Sequence, residues 1–203
     1  MSAVTVKSYS EPEYNTFEIL RYAGMRGSSE DILCIIEQCQ KELCGKLSYR
    51  TCRSEFEVKV SGEEVDFGFM KVHSSALAKN LSGCSSAVIF AATVGIEIDR
   101  LIAKYGSISP TKALIFQAIG AERIEALCDE LNNEVKLAAE ACGKKTRPRF
   151  SAGYGDFPLE AQGDMIRVLD ASKKIGVSLN QSLLMSPSKS VTAVIGISRA
   201  EQG

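Results

Sequence analysis

Apolar positions recur at helical spacing in the first part of the chain. Tyr14, Phe17 and Leu20 lie three residues apart and follow Ser10–Glu13, a stretch with the form of a capping box and a proline in the first turn. Gly24 is of the residue type that commonly ends a helix. The pattern predicts a first helix that begins within Ser10–Glu13 and ends near Gly24.

Four later segments have the same helical spacing and bounding residues. The longest pattern follows a serine–proline pair, which favours a helix start because proline is tolerated in the first turn. The predicted helices run from Ser28 or Ser29 to Leu43, from Gly95 through Ile102, from about Thr111 to Cys142, and from about Leu159 to Lys174 with an end near Gly176.

Around residue 56 the spacing of apolar residues changes from helical to every second position. Apolar and charged residues alternate there, which predicts a half-buried strand. Val65–Val72 is interpreted as its returning partner. Ser86–Thr93 is short and apolar and predicts a central strand, and Ser190–Ile197 is rich in β-branched residues. The order of helices, strands, helices and strand predicts an α+β fold with a mostly antiparallel sheet, flanking helices and one long helix.

Composition and charge limit the number of domains and the classes of partner that the chain is expected to bind. The 203 residues allow one substantial core, and the absence of a repeat or linker predicts a single domain over residues 1–203. A net charge of −1 gives no excess of basic residues for nucleic acid or an anionic membrane. The N-terminus has no apolar secretion signal, and the longest apolar run, about Ala87 to Ile96, is too short for a membrane helix. We therefore expect a soluble, cytoplasmic protein.

Metal and hydrolytic centres are not indicated by the sequence. The seven cysteines contain no CxxC pair, and the evenly spaced Cys34, Cys39 and Cys44 do not share a helix face, so free thiols in a reducing compartment are expected. His73 is the only histidine, and no GxSxG, DxHxxG or P-loop motif accompanies it. We interpret His73 as a surface or capping residue.

The stretch RPRFSAGYGDFP, Arg147–Pro158, is the most specific candidate for a binding loop. An arginine suits a carboxylate, glycines allow close approach of the backbone, and a tyrosine adds a flat face with a polar tip. The loop therefore suits a small zwitterionic ligand with an aromatic ring, although a rigid structural turn explains the same residues. Glu122 and Glu125 share a face of the long helix beside Arg123, and a solvated helix face is the simpler interpretation.

Three ordered blocks resemble the activation domain of cobalamin-dependent methionine synthase. Arg149–Tyr154 resembles that family's R-x-x-x-G-Y signature, and Ile175–Ser182 resembles its I-G-V-x-L-x-x-S stretch. Met185–Thr192 resembles its M-x-P-x-x-S-V-S segment. Any one block alone is a weak signal, and the three together at compatible spacing are specific. The N-terminal hundred residues match only in general character.

The resemblance implies a site for S-adenosylmethionine. By that resemblance Arg149 anchors the methionine carboxylate, the backbone of Ala152 and Gly153 contacts the ligand, and Tyr154 is the catalytic candidate, near the sulfonium and facing the corrin. A family glutamate on the preceding helix corresponds best to Glu125, with Glu122 as the alternative. The implied cofactor is S-adenosylmethionine, with cobalamin only in trans on the partner and no metal held by this chain.

The resemblance also implies an accessory role. In the family, the domain supports reductive methylation of cob(II)alamin by S-adenosylmethionine and one electron from a flavodoxin-like or other donor. The expected partner is a cobalamin-dependent methionine synthase lacking its own activation domain; the alternatives are another corrinoid protein as partner, or an interaction module without ligand. Alone, the chain is not expected to be a complete enzyme.

The sequence departs from the family pattern at three places. An N-terminal aspartate of the family has no counterpart here, and a tyrosine beyond the final matched strand is also absent. The family's T-E-S reads Asn180–Ser182, with glutamine in the place of the glutamate. These departures leave the N-terminal acidic contact unassigned and predict weaker ligand binding or an altered substrate.

Overall fold

The computed structural model describes residues 3–27 and 29–199 as a mixed structure of helices and antiparallel strands. The helices are α1 Thr16–Tyr22, α2 Glu30–Leu43, α3 Ser75–Asn80, α4 Glu97–Gly106, α5 Pro110–Ala141, α6 Ala161–Leu169 and α7 Ala171–Ile175. The strands are β1 Thr5–Ser8, β2 Arg50–Glu57, β3 Lys59–Ser61, β4 Glu64–Asp66, β5 Lys71–His73, β6 Cys84–Thr93, β7 Lys144–Thr146, β8 Phe150–Ser151, β9 Ser178–Leu179, β10 Met185–Ser186 and β11 Ser190–Arg199.

The main sheet has the strand order β1-β2-β6-β11-β7, and β8 also pairs with β11. Every pairing recorded in it is antiparallel. Strand β6 lies in the middle because its side chains are apolar on both faces, with Val88 and Phe90 in one core and Ile89 and Ala91 in the other. The strands β3-β4-β5 and β9-β10 form two smaller sheets.

Helices cover both faces of the main sheet. Buried residues of α1, α2, α4 and α5 share one core with the sheet, represented by Ile19, Ile36 and Ile119. Buried residues of α3, α6, α7 and β4 share the other core, represented by Leu77 and Met165. The mostly antiparallel sheet, the flanking helices and the long helix α5 confirm the α+β fold predicted from the sequence.

The long helix α5 begins with Pro110 in its first turn and agrees with the predicted bounds within one residue at each end. A Cβ atom at Gly120 would lie 2.8 Å from Ile98 Cγ2 and 2.9 Å from Lys189 Cε. Glycine there makes room for the side chains of Ile98 on α4 and of Lys189, the residue before β11, which would have to shift for any larger residue. The predictions for α2, α4, β6 and β11 are also confirmed, with small shifts at the ends.

The predicted start of the first helix is wrong. Helix α1 begins at Thr16 after the N-cap Asn15, whose side chain accepts a hydrogen bond from Glu18 N at 3.2 Å. The carbonyl oxygens of Pro12 and Glu13 instead accept hydrogen bonds from the Arg123 guanidinium at 2.5 and 2.7 Å. The Pro12 and Glu13 backbone is thereby held against α5, so the resemblance of Ser10–Glu13 to a capping box was misleading.

Two other predicted elements are interrupted by turns. Val65–Val72 contains β4 and β5 rather than one strand, because Gly68 adopts φ +80° and donates its N–H to Asp66 Oδ1 at 2.7 Å. The predicted helix from Leu159 to Lys174 is two helices, because Asp170 adopts the left-handed conformation with φ 51°. Aspartate is one of the few residues with a side chain that tolerate this conformation.

Sequence reasoning missed α3 and the short strands β1, β7, β8, β9 and β10, which have too few residues for a visible period. The short strands β8, β9 and β10 bring together the three sequence blocks that carry the family resemblance. Strand β9 of the second block pairs with β10 of the third, and the third block leads directly into Ala193 and Val194, which pair with β8 of the first. Within the described residues, no helix combines the length and apolar character needed to cross a membrane.

Candidate functional site

The chain between β7 and β8 contains a β-bulge. Thr146 lies opposite Ile197, and Phe150 lies opposite Val194, so four residue steps on one strand face three steps on β11. An extra residue reverses the face towards which the following side chains point. Pro148 lies within the bulge, where the loss of its N–H breaks no regular pairing. Arg147 and Arg149, two residues apart, are thereby directed to opposite faces of the sheet.

Arg149 lies on the side of α5. Its Nη2 donates to Glu125 Oε2, and its Nη1 lies 3.3 Å from Asp129 Oδ1. The Arg149 side chain is 22% exposed, whereas Glu125 is 40% and Asp129 73% exposed. Nη1 is buried and makes no hydrogen bond with any described residue, so the geometry to Asp129 is that of an ion pair only. The structure therefore brings the predicted Arg149 and Glu125 together and leaves a buried donor unsatisfied beside them.

Arg147 lies on the other side. Its backbone N–H donates to Gly196 O at 2.8 Å, and its Nη2 donates to Ser82 O at 2.9 Å in the turn after α3. A Cβ atom at Gly196 would lie 3.2 Å from Arg147 Cγ, so glycine there leaves room for the arginine stem. The two arginines flanking the proline therefore take part in different contacts.

The segment after β8 forms a compact turn that requires its first glycine. Gly153 has φ +85° and donates its N–H to Phe157 O at 2.8 Å, while Tyr154 N donates to Ser151 O at 3.2 Å. A Cβ atom at Gly153 would lie 2.9 Å from Leu159 Cδ1. The φ value and the close approach both exclude a larger residue without rearrangement. Ala152 is half-buried and packs against the core that contains Leu77 and Met165.

Tyr154 projects from this turn and is 70% exposed. Its ring packs edge-on against Phe150, with centroids 5.4 Å apart and planes at 83°. Phe150 in turn lies 6.3 Å from the ring of the buried Phe157. Because Arg149 reaches towards α5 and Tyr154 stands on the other core, a ligand touching both would lie across the edge of the sheet at β8.

Asp156 fixes the turn to α3, a contact that sequence reasoning missed. Its carboxylate accepts hydrogen bonds from Ser74 Oγ at 2.5 Å, Ser75 N at 2.7 Å and Ala76 N at 3.1 Å. The hydrogen bond from Ser74, followed by those from the backbone, holds the pKa of Asp156 below its usual value. The short helix α3 has no clear sequence period, so only the acidic residue after the glycines could have suggested this anchor.

Glu122 and Arg123 form a buried pair, and the predicted solvated face is wrong for both. Arg123 is fully buried, and its Nε and Nη2 each lie 2.5 Å from a Glu122 oxygen. Glu122 Oε1 also accepts from Asn15 N at 3.1 Å, and the guanidinium lies 3.9 Å from the Tyr14 ring centroid. These contacts hold the segment before α1 on α5, so Glu122 has a structural role and Glu125 remains the candidate for the ligand.

An acidic groove of about 640 Å³ runs between α5 and the segment that leads into α1. Six acidic residues line it, two of which pair with Arg149: Glu13, Glu18, Glu122, Glu125, Asp129 and Glu130. Glu122 and Glu18 are paired with Arg123 and Arg21, and the other carboxylates favour a cationic group near Arg149. Asp129 was not among the predicted site residues because nothing in the sequence indicated its pairing with Arg149.

The remaining candidates lie apart from this groove. His73 Nε2 lies 3.0 Å from Glu63 Oε2, and its side chain is 78% exposed, which confirms a surface residue. The seven cysteines are free thiols. Over residues 3–27 and 29–199, no group of three His, Cys, Asp or Glu residues is arranged to hold a metal ion.

Comparison with solved structures identifies a known fold that resembles this chain. The structure described as "Crystal Structure of the MetH Reactivation Domain bound to AdoHcy" matches 100% of this chain and 80% of that chain, with a TM-score of 0.67 and 16% sequence identity. The chain has the MetH reactivation domain fold. At this identity the likeness establishes the architecture, which confirms the fold expected from the three sequence blocks.

Comparisons of the sequence with known families and proteins find no match. No protein-family model matches the chain. No curated protein matches it either. The assignment of a ligand to the MetH-like fold therefore depends on the residues of this chain.

Proposed function

We propose that the chain is a reactivation-type domain that binds S-adenosylmethionine and supports reductive methylation of cob(II)alamin on a partner protein. The observation that carries the proposal is the Arg149–Glu125 pair, formed by two residues that the family resemblance assigns to one ligand. The MetH-like fold and the AdoHcy in the matched structure support it, since AdoHcy is what remains of S-adenosylmethionine after methyl transfer.

The pair is complementary to the amino-acid end of that ligand. A carboxylate would take the unsatisfied Nη1 of Arg149, and an ammonium would take Glu125 or Asp129. The ligand would thus replace the two internal ion pairs of Arg149 with contacts of its own. Because the acidic groove adjoins this point, the positive sulfonium would lie near carboxylates, and Asp129 supplies an acidic contact where the family's N-terminal aspartate has no counterpart.

The turn after β8 would hold the rest of the ligand. The backbone of Ala152 and Gly153 would contact it, and the exposed ring of Tyr154 would face the partner's corrin and orient the transferred methyl group. When bound, S-adenosylmethionine supplies the methyl group, and the electron comes from a flavodoxin-like or other donor. This chain's own residues bind and position the ligand, and the corrinoid stays with the partner.

The favoured partner is a cobalamin-dependent methionine synthase lacking its own activation domain, with another corrinoid methyltransferase as the alternative. The proposal includes a single domain over residues 1–203 and a cytoplasmic location. One observation favours an interaction module without ligand, because Arg149 is already paired with Glu125 and Asp129. A ligand must displace these contacts, which lowers the affinity.

Calorimetric titration tests the proposal. S-adenosylmethionine should bind with one site per chain, and cobalamin alone should not bind in the histidine-ligated mode, because the only histidine, His73, does not belong to a DxHxxG motif. Methylcobalamin formation should then depend on the chain when a corrinoid partner and a reductant are present. Absence of binding would favour the interaction module, and uptake of cobalamin through His73 would overturn the assignment of the corrinoid to the partner.

A further inference from the structure

A second pocket lies on the opposite side of the bulged strand from the Arg149–Glu125 pair. It has a volume of about 390 Å³ and is bounded by β7, the end of β11 and the turn between α3 and β6. Its charged lining residues within the described chain are all basic: Lys145, Arg147 and Arg199. None of the three forms an ion pair with another described residue, in a protein whose net charge is −1.

The strand geometry concentrates these cations. Lys145 lies opposite Ser198 in the β7–β11 pairing, and the next residue on the same face is Arg147, opposite Gly196. The bulge beyond Arg147 sends Arg149 to the other face, so the pocket does not share that arginine with the acidic groove. Basic and acidic sites are thus kept on the two sides of one strand.

Arg147 is held in position before any ligand arrives. Its Nη2 donates to Ser82 O at 2.9 Å, and its stem packs where Gly196 has no side chain. The guanidinium carries five N–H groups, so most of its donors stay available. Ser85, Thr146 and Ser198 also line the pocket.

We propose that this pocket binds the phosphoryl group of a small phosphorylated molecule. A phosphate monoester carries a charge of about −1.5 to −2 at neutral pH and three acceptor oxygens, which matches several cations better than a single carboxylate does. Among the described residues, the lining includes no aromatic side chain for stacking a base, so the rest of the ligand is expected to be polar. This site is separate from the proposed S-adenosylmethionine site.

The test uses ribose 5-phosphate as the probe and ribose as its uncharged match. Phosphorus NMR or calorimetry should show binding of ribose 5-phosphate and inorganic phosphate, with ribose not binding. Lys145→Ala and Arg147→Ala should each weaken the binding roughly tenfold, since each removes a charge-assisted hydrogen bond. Binding should weaken with added salt because the cations are exposed.

Lys144→Ala is the matched control. Lys144 is the neighbouring lysine on β7, lies opposite Arg199, and lines a different cavity with Val135 and Ile197. It should leave ribose 5-phosphate binding unchanged. Equal losses in Lys144→Ala and Lys145→Ala, or equal binding of ribose and ribose 5-phosphate, would overturn the proposal.

A competition experiment separates the two sites. Saturating ribose 5-phosphate should leave the dissociation constant of S-adenosylmethionine unchanged, and the reverse should hold. Loss of S-adenosylmethionine binding with phosphate binding retained would overturn the proposed function alone. Displacement of one by the other would overturn the separation of the sites.

Discussion

Helix α5 takes part in two arginine–glutamate pairs that are one turn apart and serve different purposes. The Glu122–Arg123 pair is buried, and its hydrogen bonds extend to the backbone of Pro12 and Glu13. The Glu125–Arg149 pair is partly exposed and keeps one buried donor without a hydrogen bond. A pair whose hydrogen-bonding groups are all satisfied therefore holds the fold, whereas a pair with an unsatisfied donor can accept a ligand.

The largest expected difference between the pairs is in stability. Arg123→Met leaves Glu122 buried without its partner and should lower the free energy of unfolding by about 3–5 kcal/mol. Arg149→Ala, in the partly exposed pair, should cost at most about 1 kcal/mol. Denaturant unfolding monitored by circular dichroism measures both.

A double variant separates the cost of an unpaired buried charge from the loss of the pair itself. Glu122→Leu combined with Arg123→Met removes both charges and should lose less stability than Arg123→Met alone, because no uncompensated charge remains buried. If Arg123→Met does not fold, the double variant still reports on the pair. Equal losses from Arg123→Met and Arg149→Ala would contradict the distinction between a structural and an exchangeable pair.

Tyr154 should affect the reaction more than the binding. Tyr154→Ala removes the ring that the proposal places towards the corrin, and a positioning error of about 1 Å can cost roughly a hundredfold in rate. The dissociation constant of S-adenosylmethionine should change little, because Arg149, Glu125 and the turn backbone also bind it. The rate of methylcobalamin formation with partner and reductant gives the first quantity, and calorimetry gives the second.

Tyr154→Phe is the control, because it keeps the ring that packs on Phe150 and removes only the hydroxyl. It should retain most of the rate. If Tyr154→Ala abolishes binding while Glu125→Ala changes nothing, the ring itself holds the ligand and the assigned roles are wrong. If neither rate nor binding changes in Tyr154→Ala, the turn is structural only.

A smaller effect is expected from the anchor of the turn. Asp156→Ala removes the acceptor of three hydrogen bonds from the start of α3 and should weaken S-adenosylmethionine binding by about two- to fivefold, as exposed polar contacts typically do. Asp164→Ala is the control, since Asp164 pairs with Arg167 on the surface of α6. An unchanged affinity in Asp156→Ala would show that the turn keeps its shape without α3.

The same anchor has a defined pH dependence. The pKa of Asp156 is lowered in the folded chain, so its contribution is present at neutral pH and is lost as the pH falls through the folded-state pKa, below the ordinary value of 3.8. The protection of the Ala76 amide, measured as its exchange rate relative to the intrinsic rate at the same pH, should therefore fall only in strong acid. A loss of protection already near neutral pH would contradict the anchoring by the carboxylate.

The sequence predicted the fold class and the long helices because these have clear periods and bounding residues. It also predicted Arg149 and Glu125 together, through a family resemblance. It could not show that Arg147 and Arg149 face opposite ways, because the bulge depends on the register with β11. The burial of Glu122 and Arg123 was likewise hidden, since it depends on a segment more than a hundred residues earlier in the chain.

The most direct test of the exchangeable pair compares S-adenosylmethionine with its decarboxylated analogue. In the wild-type chain and in Arg147→Ala, loss of the ligand's carboxylate should weaken binding by about ten- to a hundredfold, the value of a charge-assisted contact of roughly 1.5–3 kcal/mol. In Arg149→Ala the two ligands should bind with equal, weakened affinity. If Arg149→Ala still discriminates between them as the wild type does, or if Arg147→Ala loses the discrimination, Arg149 does not anchor the carboxylate.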